Sequence, residues 1–285
     1  MATATVDRAS EFLGGLFTSL TLRGRNLFRS GGSPPMTGDE LIELGEALLS
    51  RRGEATGVAL AATLLSGYVA AADDDKAAFL DALAEKFGPE IELINEAIAA
   101  VQASGASPDA VGLLLRAAEP RRQELIRRLN LAPGGTAALI DVRKHVLAGL
   151  ADHPDWKMID AVLGRLFNSW FNRGFLTLQR IDWHTPAFVL EKLIEYEAVH
   201  EISGWRDLRR RTQADRRCYA FFHPALPEEP LIFIEVALTR GMSNAVQPLL
   251  APEAPVFDAQ QADCAMFYSI TNCQEGLRGV SFGNL

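Results

Sequence analysis

Residues 216–241 read RRCYAFFHPALPEEPLIFIEVALTRG, and here the chain stops reading as helix. Two runs rich in aromatic and β-branched residues, CYAFF and LIFIEVAL, have strand composition. Between them Pro224, Pro227 and Pro230 withhold backbone donors and fix φ, so the segment neither continues a helix nor joins a ladder. It reads as a restricted loop between two strands that pair as neighbours. A third run of the same composition, ADCAMFYSI, follows at 262–270. The change of grammar begins near residues 170–186, where Thr185 and Pro186 open one more helix, Thr as N-cap and Pro at the first helical position.

Upstream, helix follows helix. TGDELIELGEALLSRRG (37–53) opens with Thr37 and Glu40 in capping-box spacing, carries Leu41, Leu44 and Leu48 on one face, and closes at Gly53. DDDKAAFLDALAEKFGP (73–89) puts acids at the positive end of the helix dipole and stops at Gly88-Pro89. Residues 90–105, 121–135 and 136–155 repeat the pattern, each punctuated by Gly or Pro. No fixed-period repeat is present, so the first part reads as a helical bundle rather than a solenoid. Residues 11–28, EFLGGLFTSLTLRGRNLF, form an apolar segment expected to pack on the bundle or a partner subunit, with a membrane-surface helix as the other reading. The division expected is a helical, oligomerisation-type domain over 1–172 and a strand-containing domain over 173–285.

A net charge of −8 argues against a nonspecific nucleic-acid binder but leaves room for an anionic small ligand at a local basic cluster. Cys218, Cys264 and Cys273 are far apart, with no C-x-x-C pair, which fits reduced thiols in a cytosol and neither a disulfide frame nor a zinc site. No apolar run reaches membrane-spanning length, and the N-terminus lacks signal-peptide order, so a cytoplasmic protein is expected.

Candidate chemistry is sparse. His223, at a strand end before Pro224, reads as a structural histidine at a turn, with a general base as the other reading. His145, His153, His184 and His200 are isolated and read as structural. Ser243 in GMSNA approaches a nucleophile elbow, but Ala245 stands where the second glycine belongs. Arg206, Arg209, Arg210, Arg211, Arg216 and Arg217 read as a solvated face paired with acids, with a phosphate dock as the sharper alternative. The stretch FYSITNCQEGLRGVSFGN (267–284) leads from a strand into a loop with Gly276, Gly279 and Gly283, whose backbone N–H groups can approach a phosphate. Arg278, Ser281 and Gly283 approximate the Arg/Gln-x-x-Gly-x-Gly loop that holds the coenzyme A pyrophosphate in acetyltransferase-like folds, with Ser281 in place of the first glycine; taken alone, the stretch reads by default as an ordinary hairpin turn.

Three segments, 175–205 (with EAVH and Trp205), 216–239 and 267–284, together resemble malonyl-CoA decarboxylases. The resemblance runs from about Gly174 onward in the family's order, and the helical first part resembles the family's N-terminal domain. It implies an N-terminal helical bundle followed by part of an acetyltransferase-like (GNAT-like) mixed α/β domain. It also implies conversion of malonyl-CoA to acetyl-CoA and carbon dioxide with no metal or organic cofactor, and a homo-oligomer formed through the helical domain. The family's malonyl-CoA-binding loop maps onto Arg278, Gly279, Val280, Ser281, Phe282, Gly283 and Asn284. Ser281 stands where some members carry a functional glutamate. The family's catalytic serine, in an SPIPG-like stretch, and its histidine have no counterpart here, so both are expected beyond Leu285 in a longer enzyme. An open sheet edge or exposed apolar face is expected where that segment packs. A non-catalytic oligomerisation module with a partial CoA site, and a different CoA-dependent acyltransferase, are the alternatives.

Overall fold

The computed structural model describes residues 35–50, 53–197 and 199–282. The apolar segment 11–28 lies outside them. The chain divides into two compact units, Met1–Leu166 and Phe167–Leu285.

The first unit is helical throughout the described residues: α1 Gly38–Ser50, α2 Glu54–Ala70, α3 Asp73–Glu85, α4 Ile91–Ala103, α5 Pro108–Ala117, α6 Arg121–Leu129, α7 Gly135–Gly149 and most of α8, Lys157–Trp170. The capping box opens α1 as the spacing predicts. Glu40 N–H donates to Thr37 Oγ1 (3.3 Å), and Thr37 N–H donates to the Glu40 carboxylate (2.8 Å). Helices α2, α5 and α8 fall outside the stretches whose start and stop signals predict helices. For α2, EATGVALAATLLSGYVA, the reason is that apolar residues lie nearly all round it and leave no stripe to read.

The core is aliphatic and aromatic, with Leu41, Leu65, Phe79, Leu80, Phe87 and Leu125 fully enclosed. Buried Arg122 donates from Nε to Leu83 O (2.9 Å) and from Nη2 to Ala84 O (2.6 Å). It thereby satisfies carbonyls that the end of α3 leaves open. Gly149 permits close packing of Trp156: a Cβ there would sit 2.2 Å from the indole ring. Trp156 donates to Asp81 (2.8 Å) and His153 stacks on it at 4.1 Å.

The second unit contains β1 Thr177–Ile181, α9 Ala187–Tyr196, α10 Trp205–Arg211, β2 Arg216–Phe222, β3 Ile232–Thr239, a single turn α11 Gln247–Leu250 and β4 Cys264–Asn272. The strands form one sheet in the order β1-β2-β3-β4, every pair antiparallel. CYAFF and LIFIEVAL pair as expected, with Cys218 opposite Glu235 and Ala220 opposite Phe233. The proline loop seats Leu226 and Leu231 in the interior and returns Leu231 N–H to Phe221 O at 2.8 Å. A bulge at Glu235/Val236 shifts the β3–β4 register.

One strand escapes sequence reading, and one local expectation needs correction. Strand β1, TLQRI, is exposed along four of its five residues and so carries no buried alternation to read. Thr185 does not cap α9; its hydroxyl accepts Asp182 N–H at 3.0 Å, and the helix begins at Ala187 with Pro186 as the cap. The four described strands meander antiparallel, with helices packed on one face. That face buries Ile181, Cys218, Ala220, Phe222 and Phe233 beneath Leu190 of α9 and Leu208 of α10. On the other face Leu178, Phe267 and Ile270 are more than half exposed, and β4 is an edge strand among the described residues.

Candidate functional site

The glycine loop follows β4 directly. Cys273 N–H still donates to Leu231 O (2.9 Å), and then one tight turn, Glu275–Leu277, reverses the chain. Leu277, Val280 and Phe282 are buried, whereas Arg278, Gly279 and Ser281 face solvent. The alternation anchors the loop by its apolar side chains and leaves its polar rim outward. Gly279 adopts φ +77° with open space around its α-carbon, a conformation side chains disfavour. Not all of the backbone N–H groups point outward. Arg278 N–H donates to Glu275 O, Val280 N–H to Leu277 O, and Ser281 N–H to Asn168 Oδ1 at 2.8 Å. Gly283 and Asn284 of the expected loop lie outside the described residues.

The arginine cluster is neither a solvated face nor an open phosphate dock. Arg210, Arg211 and Arg216 are each at most 4% exposed. Arg210 forks onto Asp215 (2.7 and 3.0 Å), which also accepts Arg216 Nη1 (2.8 Å) and Phe257 N–H (3.1 Å). Burial alone would raise the Asp215 carboxyl, but these donors and the nearby guanidiniums outweigh it and hold it below the usual value. Arg211 forks onto Asp207, reaches Glu235 Oε2 (2.9 Å) and donates to Glu201 O. Of the RRR run, α10 lays the consecutive guanidiniums of Arg210 and Arg211 against acids from its own turn, from β3 and from the 215 corner. The other arginines are peripheral: Arg206 pairs with Glu253, Arg209 lies over the Trp183 ring at 6.0 Å, and Arg217 bonds local carbonyls.

Glu197, a residue singled out only as part of EAVH, organises the same layer. Buried just after α9, it accepts Val199 N–H (2.8 Å), His200 N–H (2.7 Å), both Ser269 contacts (2.9 and 3.0 Å) and Thr271 Oγ1 (3.0 Å). It thus ties that turn to the strand that delivers the glycine loop. Ser269 and Thr271 share the sheet's inner face at period two.

Glu235 is less well served. Its Oε1, with the Tyr268 hydroxyl and the Nε atoms of Arg210 and Arg216, is buried with no partner among the described residues. Burial pushes its carboxyl up to about 7 against the pull of Arg211. An unfolded glutamate titrates near 4.5, so stability linked to this group is fully present below that pH and is lost as pH rises through about 7. Glu235→Gln should remove a decline on the order of 3 kcal/mol between pH 5 and 8, measured by urea unfolding at both pH values. An unchanged slope would sink the assignment. His223 contributes the opposite slope, because burial lowers its pKa below 6.5 and its share is lost as pH falls.

His223 is structural. Its Nδ1 accepts Ala225 N–H (3.1 Å), which puts the ring proton on Nε2, 3.1 Å from Trp170 O. Ser243 donates to Ala245 O (2.8 Å) in a turn beyond the end of β3. Since β3 pairs antiparallel with β2, the two residues flank opposite ends of an eight-residue strand, about 23 Å apart at ~3.3 Å per residue. They form no dyad. His145 bonds the Tyr68 hydroxyl (2.9 Å), His153 meets Asp81 (3.1 Å), exposed His184 pairs with Asp182, and His200 lies beside the Tyr268 ring. Among the described residues no cluster of His, Cys, Asp or Glu is arranged to hold a metal, and no helix is long and apolar enough to cross a membrane.

Family models describe two consecutive parts of the chain: the malonyl-CoA decarboxylase N-terminal domain over residues 87–171 and the C-terminal domain over 174–285. The mitochondrial malonyl-CoA decarboxylase of Anser anser anser is 37% identical over 222 residues, and that of Mus musculus 34% over 221. Each match takes in 73% of this chain, and 44% and 45% of the relatives, so the chain spans less than half the length of these curated proteins. Among solved structures, malonyl-CoA decarboxylase from Rhodopseudomonas palustris is 63% identical with a TM-score of 0.85, covering 87% of this chain and 61% of that one. The Agrobacterium vitis enzyme is 51% identical with a TM-score of 0.81, covering 85% and 59%.

Proposed function

The chain belongs to the malonyl-CoA decarboxylase family, and from that premise we propose that it supplies the helical domain and the CoA-holding loop of an enzyme converting malonyl-CoA to acetyl-CoA and carbon dioxide. The observation that carries this reading is the match of both family domains, in order, across residues 87–285. Loss of carbon dioxide leaves an enolate on the thioester, so the reaction needs an oxyanion stabiliser and a proton delivered to carbon. In this reading a serine and a histidine, in stretches that residues 1–285 do not contain, perform those steps. The residues present bind and orient the substrate. Arg278 offers a guanidinium fork to phosphate, Gly279 lets the chain approach it, and buried Leu277, Val280 and Phe282 keep the loop in place.

The acetyltransferase-like architecture, a homo-oligomer formed through the helical domain, catalysis without metal or organic cofactor, and a reducing cytosolic setting for the three free thiols belong to the same proposal. The Glu197 contacts support it indirectly, because they lock β4 and so fix where the loop leaves the sheet.

Calorimetric titration of CoA into the chain tests the loop. Arg278 is exposed, so Arg278→Ala should leave the fold intact and weaken binding about tenfold or more, the size of one lost charge-assisted contact. Gly279→Val should weaken it further, because a β-branched residue resists φ +77°. Equal affinity in wild type and both variants would remove the loop from the site.

A further inference from the structure

The backbone of the glycine loop is tied to the second unit from both sides. On one side is β4 itself, after which Cys273 N–H donates to Leu231 O at 2.9 Å. On the other side, Ser281 N–H donates to Asn168 Oδ1 at 2.8 Å, across 113 residues of sequence. Asn168 stands in the last turn of α8, which belongs to the second unit. That turn is itself fixed. The Trp170 carbonyl accepts His223 Nε2–H at 3.1 Å, and the fully buried Phe171 ring lies 4.7 Å from the imidazole. His223 directly follows β2, which is joined through β3 to β4. Both ties of the loop therefore refer to one sheet.

What the second tie does follows from the loop's other bonds. Arg278 N–H is spent on Glu275 O and Val280 N–H on Leu277 O. Between them, Gly279 N–H has no acceptor among the described residues. It sits on the exposed rim at φ +77°, next in sequence to exposed Arg278. Such a donor serves an anion only if the peptides on either side of it hold its direction. The tight turn Glu275–Leu277 holds the side toward β4. Beyond Gly279, the buried Val280 and Phe282 side chains set the depth of the chain, but burial does not fix the rotation of a peptide plane. A hydrogen bond to the peptide N–H does, because it is directional.

We propose that Asn168 is a positioning residue for this loop: its side-chain oxygen holds the Ser281 peptide so that Gly279 N–H and Arg278 present a fixed pair of donors to a phosphate of CoA. The inference rests on the reading of the loop as a CoA site and adds to it a residue outside the loop that touches no substrate. The side-chain chemistry suits the task. An amide oxygen accepts an N–H without placing a negative charge beside a phosphate, as a carboxylate would. It also gives His223 a purpose, since the histidine fixes the helix end from which Asn168 reaches the loop.

Two measurements on the full chain test the proposal together: hydrogen exchange of the 278–282 amides, read by mass spectrometry of fragments, and calorimetric titration of CoA. Asn168 is exposed and alanine is the better helix former, so Asn168→Ala should keep helicity and melting temperature. It should speed exchange of the loop amides and weaken CoA binding by about two- to tenfold, the worth of one net hydrogen bond. Asn168→Asp, which keeps an acceptor oxygen at the same reach, should restore the exchange of the wild type. Wild-type exchange in Asn168→Ala would overturn the inference. So would faster exchange with unchanged CoA affinity while Arg278→Ala weakens binding, a result that leaves the CoA site standing. Tighter binding by Asn168→Ala would also overturn it, by making the Asn168 oxygen a competitor of the phosphate for Ser281 N–H. Unchanged affinity in Arg278→Ala as well would overturn the CoA reading of the loop, and this inference with it.

Discussion

Asp215→Ala is expected to destabilise the second unit by about 3–5 kcal/mol, the cost of leaving buried charge without its partner. Asp215 is 1% exposed and accepts four contacts: two from Arg210, one from Arg216 and one from Phe257 N–H. Its removal strands two guanidiniums whose Nε atoms already lack partners among the described residues. Arg216 keeps Leu249 O at 2.7 Å and the Asp215 backbone carbonyl at 3.0 Å, whereas Arg210 keeps Gln213 Oε1 at 3.3 Å, so Arg210 should bear most of the cost. A second substitution, Arg210→Met, should therefore recover part of the loss, because it withdraws one of the stranded charges. Urea unfolding of both variants measures this. A loss below about 1 kcal/mol for Asp215→Ala, the scale of an exposed ion pair, would show that the cluster is solvated and the buried network is wrong.

If the catalytic serine and histidine lie outside these residues as proposed, the 285-residue chain, given malonyl-CoA, is expected to release acetyl-CoA at least about a hundred- to ten-thousand-fold more slowly than a family enzyme, the usual effect of removing acid–base groups. Binding alone lowers ground and transition states together, and only contacts made in the transition state accelerate chemistry. Among the described residues, none of His145, His153, His184, His200 or His223 bonds a serine or cysteine, and Ser243 sits at the far end of β3 from His223. Adding the part of the Rhodopseudomonas palustris enzyme that has no counterpart here should restore turnover. Acetyl-CoA formation is followed by chromatography of the quenched reaction. Turnover near one per second by mass-verified chain alone, an ordinary enzymatic rate, would mean that the catalytic groups lie within residues 1–285.

Much of this protein was legible from local chemistry. The capping box at Thr37 and Glu40 closes within one helical turn, and the acids of residues 73–75 sit where the α3 dipole favours them. The prolines at 224, 227 and 230 act on their own φ angles and donors, so the loop and the pairing of the strands beside it follow from residues within one hairpin. The motifs EAVH and FYSI marked the family without revealing their work. Helix α2 hid because uniform apolarity has no period, and β1 because an exposed strand has no alternation.

Only the tertiary structure decided which polar groups meet. Glu197 finds Ser269 and Thr271 at separations of 72 and 74 residues, Arg211 finds Glu235 across 24, and Ser281 N–H finds Asn168 across 113. A guanidinium reads the same in sequence whether solvated, docked on phosphate or buried against a carboxylate. Its state depends on whether a sheet register and a helix face bring an acid within about 3 Å while excluding water, conditions under which an unpaired charge is not tolerated. The glycine loop shows both halves of this: its glycines announce a chain that can approach a phosphate, but which N–H groups face outward was settled by Leu277 O, Glu275 O and the Asn168 amide.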